Sequence, residues 1–475
     1  MNYDFDLIIL GGGGGGITAA MLAKGLGKKV ALIDNKRFGG ECTWSGCVPS
    51  KSLLHAAKIV AMTKNLNRYG LAGKGQIAIS NESVMTAVRE TIRDIYEDEK
   101  PGTFEKLGIA AMENVQARFV DSNTLAVNGK TMRARKFLIT TGSSPLVPPI
   151  DGLAGVPYYT NENIFSLATL PESITIMGGG PIGIELAQAM NRLGVSVTVI
   201  EMAPVILIRE DAELSARLTD ILAREGVHFI TGARVKSVEN PANPTVVYEK
   251  EGKLAKVSSD ALLIAAGRKP NTEGLGLETI GVAFDRRGIS VDRHLRTSVK
   301  TIYAAGDVVG PYQFSHIANY QAIIATSNAL LPIKKNANYD AVPWCTFTDP
   351  ELARSGLTEA EAREKFGSGV RVYRAEYSRL DRARTDRATE GLAKFVCHAG
   401  GKILGVHILG ERAGEVMHEA HAARTLGIPL HRLNDVIHTY PTYSELTRQA
   451  ARAAYVDRLQ SNPLIRFIKW FRRLQ

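Results

Sequence analysis

One local pattern appears twice in this chain, and that repetition limits its fold more than any other feature. Residues Asp4 to Asp34 read DFDLIILGGGGGGITAAMLAKGLGKKVALID. An apolar run from Leu7 to Leu10 meets a run of glycines, an alanine-rich helical stretch follows, and a second apolar run ends on Asp34. Residues Ser173 to Glu201 repeat the order as SITIMGGGPIGIELAQAMNRLGVSVTVIE. A strand, a tight turn, a helix and a second strand predict a parallel βαβ unit, and two of them predict an α/β fold.

Each unit carries G-x-G-x-x-G: Gly11, Gly13 and Gly16 in the first, Gly178, Gly180 and Gly183 in the second. The first glycine permits the tight turn, the second lets a pyrophosphate approach the backbone, and the third lets helix and strand pack closely. The helix N-terminus then offers free N–H groups and the positive end of its dipole to the phosphates. Asp34 and Glu201 each lie eighteen residues past the third glycine, where an acid takes ribose hydroxyls. Neither copy looks decayed, so two dinucleotides are expected. After Glu201 come Met202, Ala203 and Pro204, with no arginine to neutralise a 2′-phosphate, and this predicts NADH in preference to NADPH.

A length of 475 residues corresponds to about three domains. The N-terminus MNYDFDLIIL lacks the pattern of a signal peptide, and no run of about 18 apolar residues appears. The expectation is a cytoplasmic protein, where structural disulfides are rare and redox-active ones are not. The formal charge of +10 is spread through the chain, often beside acids, as in DRARTDRATE. With no zinc finger, RNA-binding signature or aromatic-studded basic stripe, nucleic acid is not an expected partner.

Shortly after the first unit stands GGECTWSGCVPSK, with Cys42 and Cys47 four residues apart, in a chain of four cysteines. Two dinucleotide units with this C-x4-C pair resemble the flavin-dependent pyridine nucleotide–disulfide oxidoreductases. The resemblance covers essentially the whole chain. It includes TGSSPLVPP (Thr141 to Pro149, with Gly142), AAGRKPN (Ala265 to Asn271, with Gly267) and TIYAAGDVVG with Asp307. It implies FAD in the first cradle, NAD in the second, and Asp307 on the ribityl chain of FAD. It also implies a discontinuous FAD domain (1–150 and 272–340), a NAD domain (151–271) and a C-terminal α+β domain (341–475) for homodimerisation.

By the same resemblance Cys47 contacts the flavin and Cys42 exchanges with the substrate, while Lys51 and Glu185 form a pair beside the flavin. The residues agree with this. KSLLHAAKIVAM shows helical spacing, and a cysteine at a helix N-terminus has its thiolate favoured by the dipole. A stabilising disulfide is the alternative, but its small loop would constrain the unfolded chain little. The implied flow is from NADH through flavin and dithiol to a small-molecule acceptor.

The chain departs from lipoamide and glutathione reductases at H-P-T-x-S-E, where it reads HTYPTYSE. Tyr440 replaces the histidine ahead of Glu445, as in mercuric reductases, and a phenol with ordinary pKa near 10 is a poor proton shuttle at neutral pH. His438, two residues earlier, would share a side with Tyr440 in an extended segment, although a satisfied interface histidine is the plainer expectation. IREDAEL and FSHIANYQA are also similar to mercuric reductases, yet the tail has no metal-receiving cysteine pair. Cys345 and Cys397 read as core residues. Pro181 stands where several relatives carry a bulky residue shielding the nicotinamide pocket, which would leave the flavin face more open to oxygen or quinones.

HEAH, His418 to His421 with Glu415, has no zinc-signature spacing and reads as a solvated helix face, so no metal site is expected. The tail PLIRFIKWFRRLQ segregates Leu464, Ile465, Phe467, Ile468, Trp470, Phe471 and Leu474 from Arg466, Lys469, Arg472 and Arg473. It suits weak peripheral membrane contact or packing on the dimer. The sequence thus predicts an NADH-linked FAD disulfide oxidoreductase of mercuric-reductase-like type. Dihydrolipoyl dehydrogenase is the enzymatic alternative, and a flavin–thiol redox sensor the alternative from another class.

Overall fold

The computed structural model describes residues 2–71, 78–465 and 467. The chain divides into two compact units, one of Met1–Ala56, Ala78–Gly178 and Val235–Asn338, the other of Ala57–Ile77, Gly179–Arg234 and Tyr339–Gln475. The division falls inside the second glycine turn and inside the helix Cys47–Thr63.

In the first unit, strands Phe5–Leu10, Val30–Ile33, Ala110–Met112, Ile302–Ala304 and the end of Lys130–Ile139 pair in parallel. Leu7, Ile8, Ile9 and Leu32 are fully buried, as expected for a parallel sheet covered on both faces. Register then aligns the strand ends. Leu10 lies opposite both Ile33 and Ile139, and Ile139 opposite Ala304. The strands therefore end level, and Gly11, Asp34, Thr140 and Ala305 leave the sheet at one edge.

The first glycine turn is fixed by space. Gly11 has φ of +111°, and a Cβ there would lie 2.2 Å from Thr140 O, while a Cβ on Gly16 would lie 1.8 Å from Gly11 O. Gly13 differs: its backbone is ordinary (φ −77°) and its nearest neighbour would be Gly40 Cα at 3.7 Å. Packing inside the chain does not demand glycine there, and the open space fits a phosphate approaching the backbone. Gly180 repeats this, with nothing within 4 Å of a Cβ, and Gly178 repeats Gly11, at 2.2 Å from Ala265 O. The helix Gly14–Gly25 buries Ala19, Ala20 and Ala23 in one core cluster with Ala322 and Ala325 of the helix Ser315–Leu330. These small side chains allow the two helices to approach closely.

In the second unit the helix Pro181–Arg192 begins with proline at its first position, where the missing N–H costs nothing. Beyond Tyr339 a five-stranded antiparallel sheet runs in the order Pro343–Thr346, Glu351–Gly356, Ile403–Gly410, Leu392–His398, Val370–Glu376. Its core joins Phe395, Val406 and Ile408 to Val416, Met417, Leu446 and Ala450 from the helices Ala413–Thr425 and Glu445–Ser461. Cys397 is buried there, with burial pushing its thiol up to about 12, and Cys345 is half-buried, as the sequence implied. Of the amphipathic tail, Arg466 and the residues from Ile468 onward lie outside the described residues.

The acids of IREDAEL join a polar network around a buried Lys394. Lys394 contacts Asp211 at 3.0 Å, Glu213 at 3.2 Å and Glu359 at 2.8 Å. Glu210 accepts the Trp344 indole N–H at 2.6 Å, and the Arg354 guanidinium lies 4.7 Å from the Trp344 ring centroid. Among the described residues Glu210 Oε2 has no partner. Burial pushes this carboxyl up to about 7 from an ordinary 4.5, against Trp344, Arg354 and Arg209, with Asp211 adding to the rise.

Gly16→Ala should destabilise the chain by about 3 kcal/mol in denaturant melts, whereas Gly13→Ala should melt normally but retain less flavin absorbance on gel filtration. Glu210 holds its proton more tightly folded than unfolded, so folding stability falls as pH rises from about 4.5 to about 7 and stays reduced above that range. Glu210→Gln should therefore gain on the order of 2 kcal/mol over the parent chain between about pH 5 and about pH 8, read as the difference between their melting curves.

Candidate active site

Cys42 lies in the short helix Gly40–Trp44, and Cys47 begins the helix Cys47–Thr63. Gly39 and Gly40 both have positive φ, +89° and +57°, which turns the chain sharply from the first cradle into the cysteine loop. The neighbouring Cys47, more than burial, pushes the Cys42 thiol well above its ordinary range. Cys42 is half-buried and Cys47 exposed. Cys47 Sγ lies 3.5 Å from the hydroxyl of Ser315, the first residue of the helix Ser315–Leu330. The Ser315 hydroxyl also opposes the rise of the Cys42 pKa.

Around the loop runs a polar network. Arg268 grips both carboxylate oxygens of Glu41, with Nη1 donating to Oε1 at 2.6 Å. Its Nε donates to Ser143 Oγ at 2.8 Å, and Ser143 Oγ donates to Asp307 at 2.6 Å. Asn161 donates to Glu41 at 2.8 Å and to Ser45 O at 3.3 Å. Burial pushes Glu41 up to about 7 against the pull of Arg268, with Asp307 and Cys47 adding to the rise. Burial likewise raises Asp307, against Ser143 and Arg268. Thr43 donates to Glu99 at 2.7 Å, and the Trp44 ring lies tilted against Tyr96, centroids 4.9 Å apart.

Both acids that end the βαβ units turn back onto their own glycine loops. Asp34 accepts from Gly12 N and Lys36 N, each at 2.6 Å, and Glu201 accepts from Gly179 N at 2.6 Å and Ala203 N at 2.7 Å. Gly142 O accepts from Asn271 N at 3.0 Å, and the β-paired segments Ser143–Pro145 and Arg268–Pro270 hold the two crossovers together, with Gly267 at φ +133° just before. Gly183 is buried in the helix Pro181–Arg192. In the first unit, then, the cysteines, the first cradle, Gly142 and Asp307 converge on one sheet edge. Lys51 belongs to the cysteine helix; Glu185, in the second unit, is buried and accepts from Phe347 N at 2.8 Å.

The C-terminal motif is not assembled as an acid–base pair. The Tyr440 hydroxyl donates to Asp381 at 2.8 Å, which raises its pKa further. Glu445, at the N-terminus of the helix Glu445–Ser461, pairs with Arg448 at 2.6 Å. His438 places Nδ1 3.0 Å from Val436 O and Nε2 2.9 Å from Glu419. Both ring nitrogens are occupied, which agrees with a satisfied histidine. In HEAH, His418 is exposed and His421 lies 2.9 Å from Ser355 Oγ. Glu41, Arg268 and Ser315 do not stand out in the sequence. Arg268 and Ser315 lie in quoted motifs and Glu41 precedes Cys42, but only the tertiary fold joins them.

The profile of the pyridine nucleotide-disulphide oxidoreductases matches residues 5–323, and that of their dimerisation domain matches residues 342–451. A mercuric reductase of Bacillus cereus is 36% identical over 450 residues, covering 94% of this chain and 70% of the relative. A dihydrolipoyl dehydrogenase of Thermus scotoductus is also 36% identical, covering 95% and 97%. Among solved structures, the HOCl-induced flavoprotein disulfide reductase RclA from Escherichia coli superposes with a TM-score of 0.84 at 30% identity, covering 94% of this chain and 99% of its own. Such proteins are FAD-containing, NAD(P)H-using enzymes. With both profiles and full-length relatives in agreement, the chain belongs to the pyridine nucleotide–disulfide oxidoreductase family.

Proposed function

We propose that this chain is an NADH-linked FAD oxidoreductase whose Cys42–Cys47 pair opens and closes as it passes electrons to a small disulfide, a metal or oxidant species, or a quinone-like acceptor. The observation that carries the proposal is an exposed Cys47 at a helix N-terminus, 3.5 Å from the Ser315 hydroxyl, with Cys42 in the short helix just before it. The residues fit the cofactors: Gly13 and Gly180 leave room for phosphates that packing alone would not require. Gly11, Gly16, Asp34, Gly142 and Asp307 would hold FAD, and Gly178, Gly180, Gly183, Glu201 and Gly267 would hold NADH. We assign the FAD domain to 1–150 with 272–340, the NAD domain to 151–271, and the homodimer interface to 341–475. Among the described residues no helix is long and apolar enough to cross a membrane, and a cytoplasmic location fits the redox chemistry.

When bound, the flavin supplies two-electron relay between nicotinamide and dithiol. The protein's part is to hold protons and charges. Cys47 receives the dipole of a 17-residue helix, which favours its thiolate. Cys42 holds its proton more tightly than a free thiol, because the neighbouring Cys47 and burial raise its pKa. Lys51 and Glu185 are proposed to act beside the flavin. A dithiol substrate would need a proton shuttle, and Tyr440, held by Asp381, and His438, held by Glu419, are both engaged elsewhere. This favours an acceptor that takes electrons without thiol protonation by the enzyme, and disfavours dihydrolipoamide. Tyr440 and Glu445 then shape the acceptor's surroundings rather than shuttle protons.

The cofactor assignment is tested by kcat/KM with NADH and NADPH side by side. NADH should lead by at least tenfold, since Glu201 would repel a 2′-phosphate. The sulfur roles are tested by Cys47→Ala, which should abolish the long-wavelength absorption of the half-reduced protein; Cys42→Ala should retain it. Survival of that band in Cys47→Ala would reverse the assignment.

A further inference from the structure

The short cysteine helix Gly40–Trp44 has five residues, and its N-cap, Gly39, makes no side-chain cap hydrogen bond. A helix of that length has little stability of its own. Its position, and with it that of Cys42, depends on ties to the rest of the unit. The strongest is Glu41, whose two oxygens are both gripped by Arg268, a side chain only 10% exposed. Arg268 is itself anchored by Ser143 Oγ at 2.8 Å and Ser143 O at 2.9 Å, and lies 3.8 Å from Asp307. Asn161 adds a third bond to Glu41 and closes on Ser45 O, at the end of the same helix. A planar guanidinium with two carboxylate bonds fixes orientation as well as distance. The partners come from opposite ends of the unit's sequence, so this contact holds the loop where chain connectivity does not.

We propose that the Glu41–Arg268 pair is a positioning clamp that holds Cys42 against Cys47 and thereby sets how strongly their disulfide is favoured over the open dithiol. The proposal rests on the redox role assigned to the two cysteines above. A disulfide's stability follows the proximity its thiols keep when open, and a loosened loop lowers that proximity without touching either sulfur. Opening the bond takes up two electrons and one proton, which goes onto Cys42, and leaves Cys47 as thiolate; the second proton given up by the two glutathione thiols goes to solvent. With glutathione as the electron donor, two thiols yield one oxidised glutathione and one open pair. When ionised, Glu41 puts a negative charge near Cys47, and Glu99 lies near Cys42, so charge alone is a competing explanation.

The experiment measures the disulfide–dithiol equilibrium of full-length holoprotein in glutathione buffers, by acid quench, alkylation and mass spectrometry. Glu41→Gln should shift the equilibrium about tenfold toward the dithiol, which for two electrons is about 30 mV. The exchanged pair Glu41→Arg with Arg268→Glu should return it toward the parent value. An equilibrium within twofold of the parent in Glu41→Gln overturns the clamp. So does an exchanged pair that shifts as far as Glu41→Gln, because a cation beside Cys47 would favour the thiolate by charge alone. Should Glu41→Gln fail to fold, Arg268→Gln breaks the same pair from the other side; a shift toward the dithiol supports the clamp, since loss of a cation would by charge alone disfavour the thiolate, and an unchanged equilibrium overturns it. Glutathione drives this measurement, so failure of NADH to reduce the protein would defeat the proposed function and leave the clamp standing.

Discussion

Parallel strands that stop at one level are what the site stands on. Hydrogen bonds between Phe5–Leu10, Val30–Ile33, Lys130–Ile139 and Ile302–Ala304 fix that level, and the apolar side chains between them are excluded from water. Each strand delivers one functional group just beyond its end. The glycine turn follows the first, Asp34 the second, Gly142 the third and Asp307 the fourth. A slip of one residue in any pairing would turn buried side chains toward the opposite face and move that group by a full residue spacing. The cysteine loop is attached to this edge through Gly39 and Gly40, so its placement inherits the same register.

At the dithiol two sets of forces oppose each other. Helix dipole and the Ser315 hydroxyl favour negative charge on sulfur, while burial and the carboxylates of Glu41 and Glu99 oppose it. The outcome at Cys42 is a thiol held well above its ordinary range, while Cys47 sits at the helix start, where the dipole favours negative charge. The C-terminal motif contributes no free base to this balance among the described residues, because its phenols are bound to aspartates: Tyr440 to Asp381 and Tyr443 to Asp386.

How much of this was legible in the sequence depends on the range of the interaction. The two cradles could be read in full, since strand, turn, helix and acid are neighbours in the chain and the glycines fall at fixed local spacings. The helix start at Cys47 was legible for the same reason. Asp307 was reached only through family resemblance; its tie to Ser143 spans 164 residues and exists through strand register. The Glu41–Arg268 contact spans 227 residues and Cys47–Ser315 spans 268, and no periodicity encodes either. For His438 and Tyr440 to share a side, their segment would have to be an extended strand. Residues 436–444 form none, so alternation does not apply, and the two side chains find separate partners.

The closed carboxylates of Asp34 and Glu201 have a further thermodynamic consequence. Each is held by two backbone N–H groups of its own turn, so the mouth of the cradle is shaped by the chain itself. A nucleotide arriving there need not freeze a wandering acid, and the entropy of ordering is charged to folding instead of to association. The same locking makes the mouth unforgiving: a ligand with a bulkier ribose meets a carboxylate that cannot swing aside without breaking two hydrogen bonds.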